Sequence, residues 1–297
     1  MIEREKLTVG QANIDLFTGY TYALSDRFVV SRKEFLITLG VITSGLALMP
    51  LFGCGNQRPR EVTSTSPDFS DITPELERLI GASGTLIVST AADDYLGKYG
   101  CVQSTITFSQ QTLRADSGEQ SDPGVVYFNS LNVARMTNEE LRAITLHALT
   151  HACQPLELYY LPERYTLLDG KEAYAIGGLS LFVSSEEVEE LKFALMEEGA
   201  AEALAYNVDR SYFSFIPEYY RIGQLTIWAV EQGFLTYNDL SRYAQSNDLM
   251  AFVSTITGRE APSYADLEWV MSWWHLAYRG ERELVDIQAD ILDYRKR

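Results

Sequence analysis

His147 and His151 stand four residues apart in the run Leu146-His147-Ala148-Leu149-Thr150-His151-Ala152, and they are two of only three histidines in the chain. Residues i and i+4 share one face of a helix, so both imidazoles can reach a single metal ion. A metal site needs a third ligand. Glu198, within Met196-Glu197-Glu198-Gly199-Ala200-Ala201-Glu202, is the candidate. A glycine and a run of small residues follow it, which should let its helix approach the histidine helix closely. Glu202 comes one turn later on the same face, where its carboxylate can hydrogen-bond the second nitrogen of a ligating imidazole and fix the ring. The bland alternative makes Glu197 and Glu198 a solvated helix face and Glu202 an exposed polar position.

These residues need two helices to carry them. Thr137-Asn138-Glu139-Glu140 is a capping box, and Leu141, Ile144, Leu146 and Leu149 supply apolar positions along the helix it opens. A second box, Ser184-Ser185-Glu186-Glu187, predicts a helix running through Leu191, Leu195 and Ala201 toward Tyr206. Upstream, Thr73-Pro74-Glu75 predicts a short helix with Thr73 as its cap. Thr85 to Thr90 (TLIVST) reads as a strand, Cys101 to Ser109 as a second, and Val125 to Asn129 as a third behind the turn Asp122-Pro123-Gly124. Gln110 to Asp122 reads as a loop. Further helices are expected from Pro217 to Gln232, Asn238 to Ala244, Asp248 to Ile256, and Ser263 to the C-terminus. The pattern is α+β: a small sheet followed by a helical bundle that carries the metal-site helices.

The order VVYFN, then EELRAITLHALTHA, then MEEGAAEALA resembles the gluzincin-type metallopeptidases, within the zincins, over roughly residues 125–207. In those enzymes a strand precedes an H-E-x-x-H helix, and a later helix gives a glutamate ligand, often as E-G-x-A. The resemblance implies a zincin-like fold with zinc held by His147, His151 and Glu198. It also puts Ala148 where such peptidases carry the glutamate that acts as general base. A positioned general base contributes typically ~10²–10⁴-fold, and alanine can neither take nor pass a proton. Zinc affinity need not fall, because that glutamate is not a ligand. Glu197 adjoins the ligand Glu198, but neighbours on a helix point about 100° apart, so it could replace the base only on a distorted helix end. His275, in Ser272-Trp273-Trp274-His275-Leu276, either stabilises a developing oxyanion or packs in an apolar face.

The whole chain of 297 residues carries a net charge of -17, which argues against nucleic acid as a partner. Hydrophobic content of 46% beside 22% charged residues describes an ordinary folded protein rather than a disordered one. An apolar stretch from Phe35 to Gly53 follows Arg32 and Lys33 and reads as a secretory signal. Its end, Leu51-Phe52-Gly53-Cys54, resembles a bacterial lipobox, which implies that Cys54 is lipidated and becomes the first mature residue. The competing reading is a transmembrane helix. A signal in this position suits a translation start near Val29 or Val30. Asn56 to Ser70 is a polar tether.

Residues 1–53 hold five acidic and five basic residues, so the acidic excess belongs entirely to the remainder. The expected organisation is therefore an N-terminal extension and signal peptide over 1–53, a tether over 54–70 and a zincin-like domain over 71–297. Cys101 and Cys153 are a disulfide, two free thiols or metal ligands. The function this implies is that of a zinc-metallopeptidase-like lipoprotein of the bacterial cell envelope. It would be anchored to a membrane through lipid on Cys54, face the periplasm or exterior, bind a peptide or protein, and be impaired in hydrolysis. The alternatives are an active peptidase using a different base, and a metal-free peptide-binding or protein-binding lipoprotein.

Overall fold

The computed structural model describes residues 68–112, 119–185, 191–212, 214 and 216–297. The segment read as a signal peptide, Cys54 with its expected lipidation, and nearly all of the expected tether lie outside the described residues. The described chain is a mixed α+β protein with small sheets. It falls into two compact units: Tyr160–Ala175 with Leu181–Phe193, and a larger one holding Ile176–Ser180, Ala194–Arg297 and the described part of Thr63–Tyr159.

In the larger unit, strands β1 (Asp68–Ile72), β2 (Thr105–Gln111), β3 (Glu119–Asp122) and β4 (Val125–Asn129) form a sheet in the order β1-β2-β4-β3. The pairs β1–β2 and β2–β4 are parallel, and β3 is an antiparallel edge on β4. Parallel neighbours need a crossover, and helix α1 (Pro74–Tyr99) supplies the one between β1 and β2. Ile106, Phe108, Val126 and Phe128 alternate into the core.

Helix α1 overturns two expectations. The expected strand from Thr85 to Thr90 lies inside it, and the expected short helix is its first turns. β-Branched residues only weakly oppose a helix, and tertiary burial outweighs that preference. Here Val88, Ala91, Ala92, Tyr95 and Leu96 recur at helical spacing and are all buried. Thr85 and Thr90 turn their hydroxyls onto the carbonyls of Gly81 and Leu86 one turn back. The helix is kinked at Gly81, whose φ of 67° suits glycine. Thr73 occupies the cap position, but its side chain makes no capping bond. The second expected strand begins later than predicted, at Thr105, and part of the expected loop before Asp122 is the edge strand β3.

The histidine helix α2 (Asn138–Ala152) begins at the predicted box, with both the Thr137 and Glu140 side-chain bonds present. The second box does not open a helix at Ser184. That residue ends strand β7 (Ser180–Ser184), which follows β5 (Tyr159–Thr166) and β6 (Glu172–Gly177). With β8 (Leu191–Phe193) these form a second sheet in the order β5-β6-β7-β8. The glutamate helix α3 runs only over Leu195–Val208. A capping box is a local signal, and strand pairing of Val183 with Leu191 overrides it.

The remaining helices are α4 (Pro217–Glu231), α5 (Tyr237–Gln245), α6 (Leu249–Thr257), α7 (Tyr264–Arg279) and α8 (Leu284–Arg295). The last two were expected as one helix. Gly280 ends α7 in the left-handed region, as glycine after a helix commonly does.

Candidate metal centre

Helices α2 and α3 pack against each other and bring three ligand atoms together. His147 Nε2 lies 3.2 Å from His151 Nε2 and 3.2 Å from Glu198 Oε2. His151 Nε2 lies 3.5 Å from Glu198 Oε2. Ligands at the usual zinc–nitrogen distance of about 2.0–2.1 Å sit about 3.3–3.4 Å apart around a tetrahedral ion. The triangle has the edge lengths of one face of such a tetrahedron. Glu198 Oε2 is buried and accepts no well-aligned hydrogen bond despite its two imidazole neighbours. Its geometry fits atoms converging on a common point better than atoms bonded to one another. Two imidazole nitrogens and one carboxylate also match the donor set of a metal site with an open position.

The other ring nitrogens are occupied. Glu202 Oε1 stands 3.0 Å from His147 Nδ1, and Glu197 Oε1 stands 2.9 Å from His151 Nδ1. Ser180 Oγ donates to Glu197 Oε2. Tyr219, in the first turn of α4, lies parallel to the His147 ring, with centroids 6.1 Å apart.

Glu197, Glu198 and Glu202 are all buried, so the solvated-face reading of this helix is wrong. Burying three carboxylates is costly unless cationic or donor groups surround them. Burial alone would drive both imidazoles to the neutral form, yet the surrounding carboxylates reverse that. His147 is raised well above the ordinary histidine range by Glu198 and Glu202, and His151 is raised to about 9 by Glu198 and Glu197. Glu198, against its own burial, is held far below the usual carboxylate range by His151 and His147. These carboxylates favour the protonated over the neutral imidazole, and a divalent cation would supply positive charge in place of such protons.

The glycine beside Glu198 has a different job from the one expected. A Cβ at Gly199 would meet Thr226 Oγ1 at 2.6 Å and Trp274 Nε1 at 2.8 Å. Gly199 therefore admits α4 and α7 rather than the histidine helix. Gly223 on α4 makes room in turn for Glu202, whose Cβ would lie 2.6 Å from a Cβ there.

Ala148 is fully buried on α2. His275 is buried on α7 and does not belong to the converging group; burial lowers its pKa to about 4 and keeps it neutral. Cys101 and Cys153 are joined by a disulfide, which ties the end of α2 to the segment after α1. The sequence alone does not single out Ser180 or Gly223, and it offers Glu197 as a replacement base or part of a solvated face rather than as a partner of His151. Nothing local marks Ser180, because its role depends on a strand that the misleading capping box concealed.

The chain has no match among known protein families, curated proteins or solved structures.

Proposed function

We propose that this protein is a zincin-like zinc-binding protein that recognises a peptide or protein segment and hydrolyses it poorly or not at all. The observation that carries the reading is the His147–His151–Glu198 triangle, whose edges of 3.2 to 3.5 Å suit a tetrahedral ion. The order of strand β4, histidine helix α2 and glutamate helix α3 agrees with the gluzincin resemblance.

His147, His151 and Glu198 would hold the ion, which when bound supplies a Lewis acid able to polarise a carbonyl. Glu202 would orient the imidazole of His147. What these residues do not supply is a proton acceptor beside the scissile bond. Ala148 has none, and Glu197 is committed on both oxygens to His151 and Ser180. Binding without efficient cleavage is the behaviour this arrangement supports.

The proposal places the domain on the bacterial cell envelope through lipid at Cys54, on the strength of the N-terminal sequence. Among the described residues no helix is long and apolar enough to cross a membrane.

Hydrolysis of fluorogenic peptide libraries by the zinc-loaded protein, beside Ala148→Glu, tests the reading. The natural chain should show little turnover, and a restored base should raise it by roughly 10²-fold or more. Efficient cleavage by the natural chain, with no gain from Ala148→Glu, would refute it.

A further inference from the structure

Glu197 is not needed as a ligand, yet it is the most deeply buried of the three carboxylates on α3, at 1% exposure. Its Oε1 meets His151 Nδ1 at 2.9 Å, and its Oε2 accepts from the hydroxyl of Ser180, which is itself fully buried at the start of β7. We propose that Glu197 and Ser180 are the positioning residues of His151, holding its ring so that Nε2 faces the metal. This inference rests on the metal-centre reading above.

A neutral imidazole carries one proton. Ligation through Nε2 requires that proton on Nδ1, and the tautomer is set by what accepts it. Helix geometry explains why each histidine needs its own acceptor. Glu198 and Glu202 are one turn apart on α3 and both reach His147, at 3.2 and 3.0 Å. Glu197, displaced by about 100° around the helix, is directed instead to His151. Ser180 opens β7 directly after the β6–β7 turn, where Gly178 adopts a φ of 59°. Its bond to Oε2 leaves Oε1 directed at the imidazole. The serine thus acts on the metal centre through two intermediaries: it fixes the carboxylate, and the carboxylate fixes the ring.

Cobalt(II) loaded into the full chain reports on this directly. The Nδ1–H of each ligating imidazole gives its own paramagnetically shifted, exchangeable proton resonance, and competition with a chelator gives the affinity. The wild type should show two such resonances. Glu197→Ala should lose one of them to fast solvent exchange and bind cobalt about 10–100-fold more weakly. Glu197→Gln, whose amide oxygen can still accept from Nδ1–H, should restore the resonance. Ser180→Ala should keep both resonances, speed exchange at one, and lose affinity by a smaller factor.

If Glu197→Ala fails to fold, the Gln and Ser180→Ala variants decide the matter. Unchanged affinity and unchanged exchange in the variants that fold overturn the positioning role. A wild-type chain that takes up no cobalt overturns the metal reading, and this inference with it. Uptake that ignores Glu197 and Ser180 overturns only the inference.

Discussion

The two ends of helix α2 meet charge in opposite ways. Near its start, Arg142 reaches Asp94 on α1 and Asp209 just past α3, each at 2.7 Å, in a partly exposed cluster. The guanidinium brings its own permanent positive charge, and water screens whatever is left over. Near its end, His147 and His151 face three buried carboxylates. There the cationic charge is conditional, because an imidazole is positive only when protonated. The first cluster is complete as it stands and fastens helices together. The second draws its compensating charge from added protons or from a cation. A buried group whose charge must come from outside is a candidate for holding a cation in a way that a self-sufficient ion pair is not.

The sharpest way to break this contrast is to remove one partner at each end. Structural zinc sites bind with roughly 10–16 kcal/mol, so each of three protein ligands would contribute about 3–5 kcal/mol. Glu198→Ala should therefore weaken zinc by a factor of about 10² or more, measured by chelator competition. An affinity within a few-fold of wild type would remove Glu198 from the site.

Titration separates the two ends next. Ligation requires unprotonated Nε2 atoms, so the apparent zinc affinity should rise with pH, and the part of that rise due to His151 should end near 9. In the metal-free protein the raised pKa of His151 stabilises the fold fully below about 6.5, and that contribution is lost as pH rises through about 9; the raised pKa of His147 acts in the same direction. The lowered pKa of Glu198 works from the other side, contributing above about 4.5 and fading only in acid. At the Arg142 end, Asp209 is held low by Ser211 and Arg142 against a burial penalty, so its contribution fades only as pH falls. Melting curves of chelator-treated protein should therefore drop between pH 7 and 10, and saturating zinc should suppress that drop. Equal melting temperatures across this range would contradict the assignment of protonated imidazoles.

The smallest effect belongs to Arg142→Ala. Partly exposed ion pairs contribute about 0–1 kcal/mol each, so thermal stability should fall by about 1 kcal/mol with zinc affinity nearly intact. A loss of zinc affinity as large as that of Glu198→Ala would mean that the two ends are not independent.

What the sequence revealed follows the same division between local and distant causes. The histidine pair was legible because i and i+4 are neighbours on any helix, and the capping box at Thr137 fixed where that helix begins. Glu198 and Glu202 were legible for the same reason on α3. The strand β4 was readable from its apolar run and the turn before it. Thr85 to Thr90 misled because the composition of the segment favours a strand, while the burial of Val88, Ala91 and Tyr95 makes it helical. Ser184 misled because its capping signal is real in sequence but is outcompeted by pairing with a strand nearby. Ser180 could not be read at all: its contact with Glu197 spans elements whose pairing only the fold establishes.

The most direct test of the central claim is the zinc content of the purified full chain and of His147→Ala/His151→Ala, each dialysed against trace zinc and assayed by atomic spectrometry. The account predicts one zinc per natural chain and essentially none in the double variant. A natural chain without zinc, or a double variant that still retains one, would contradict it.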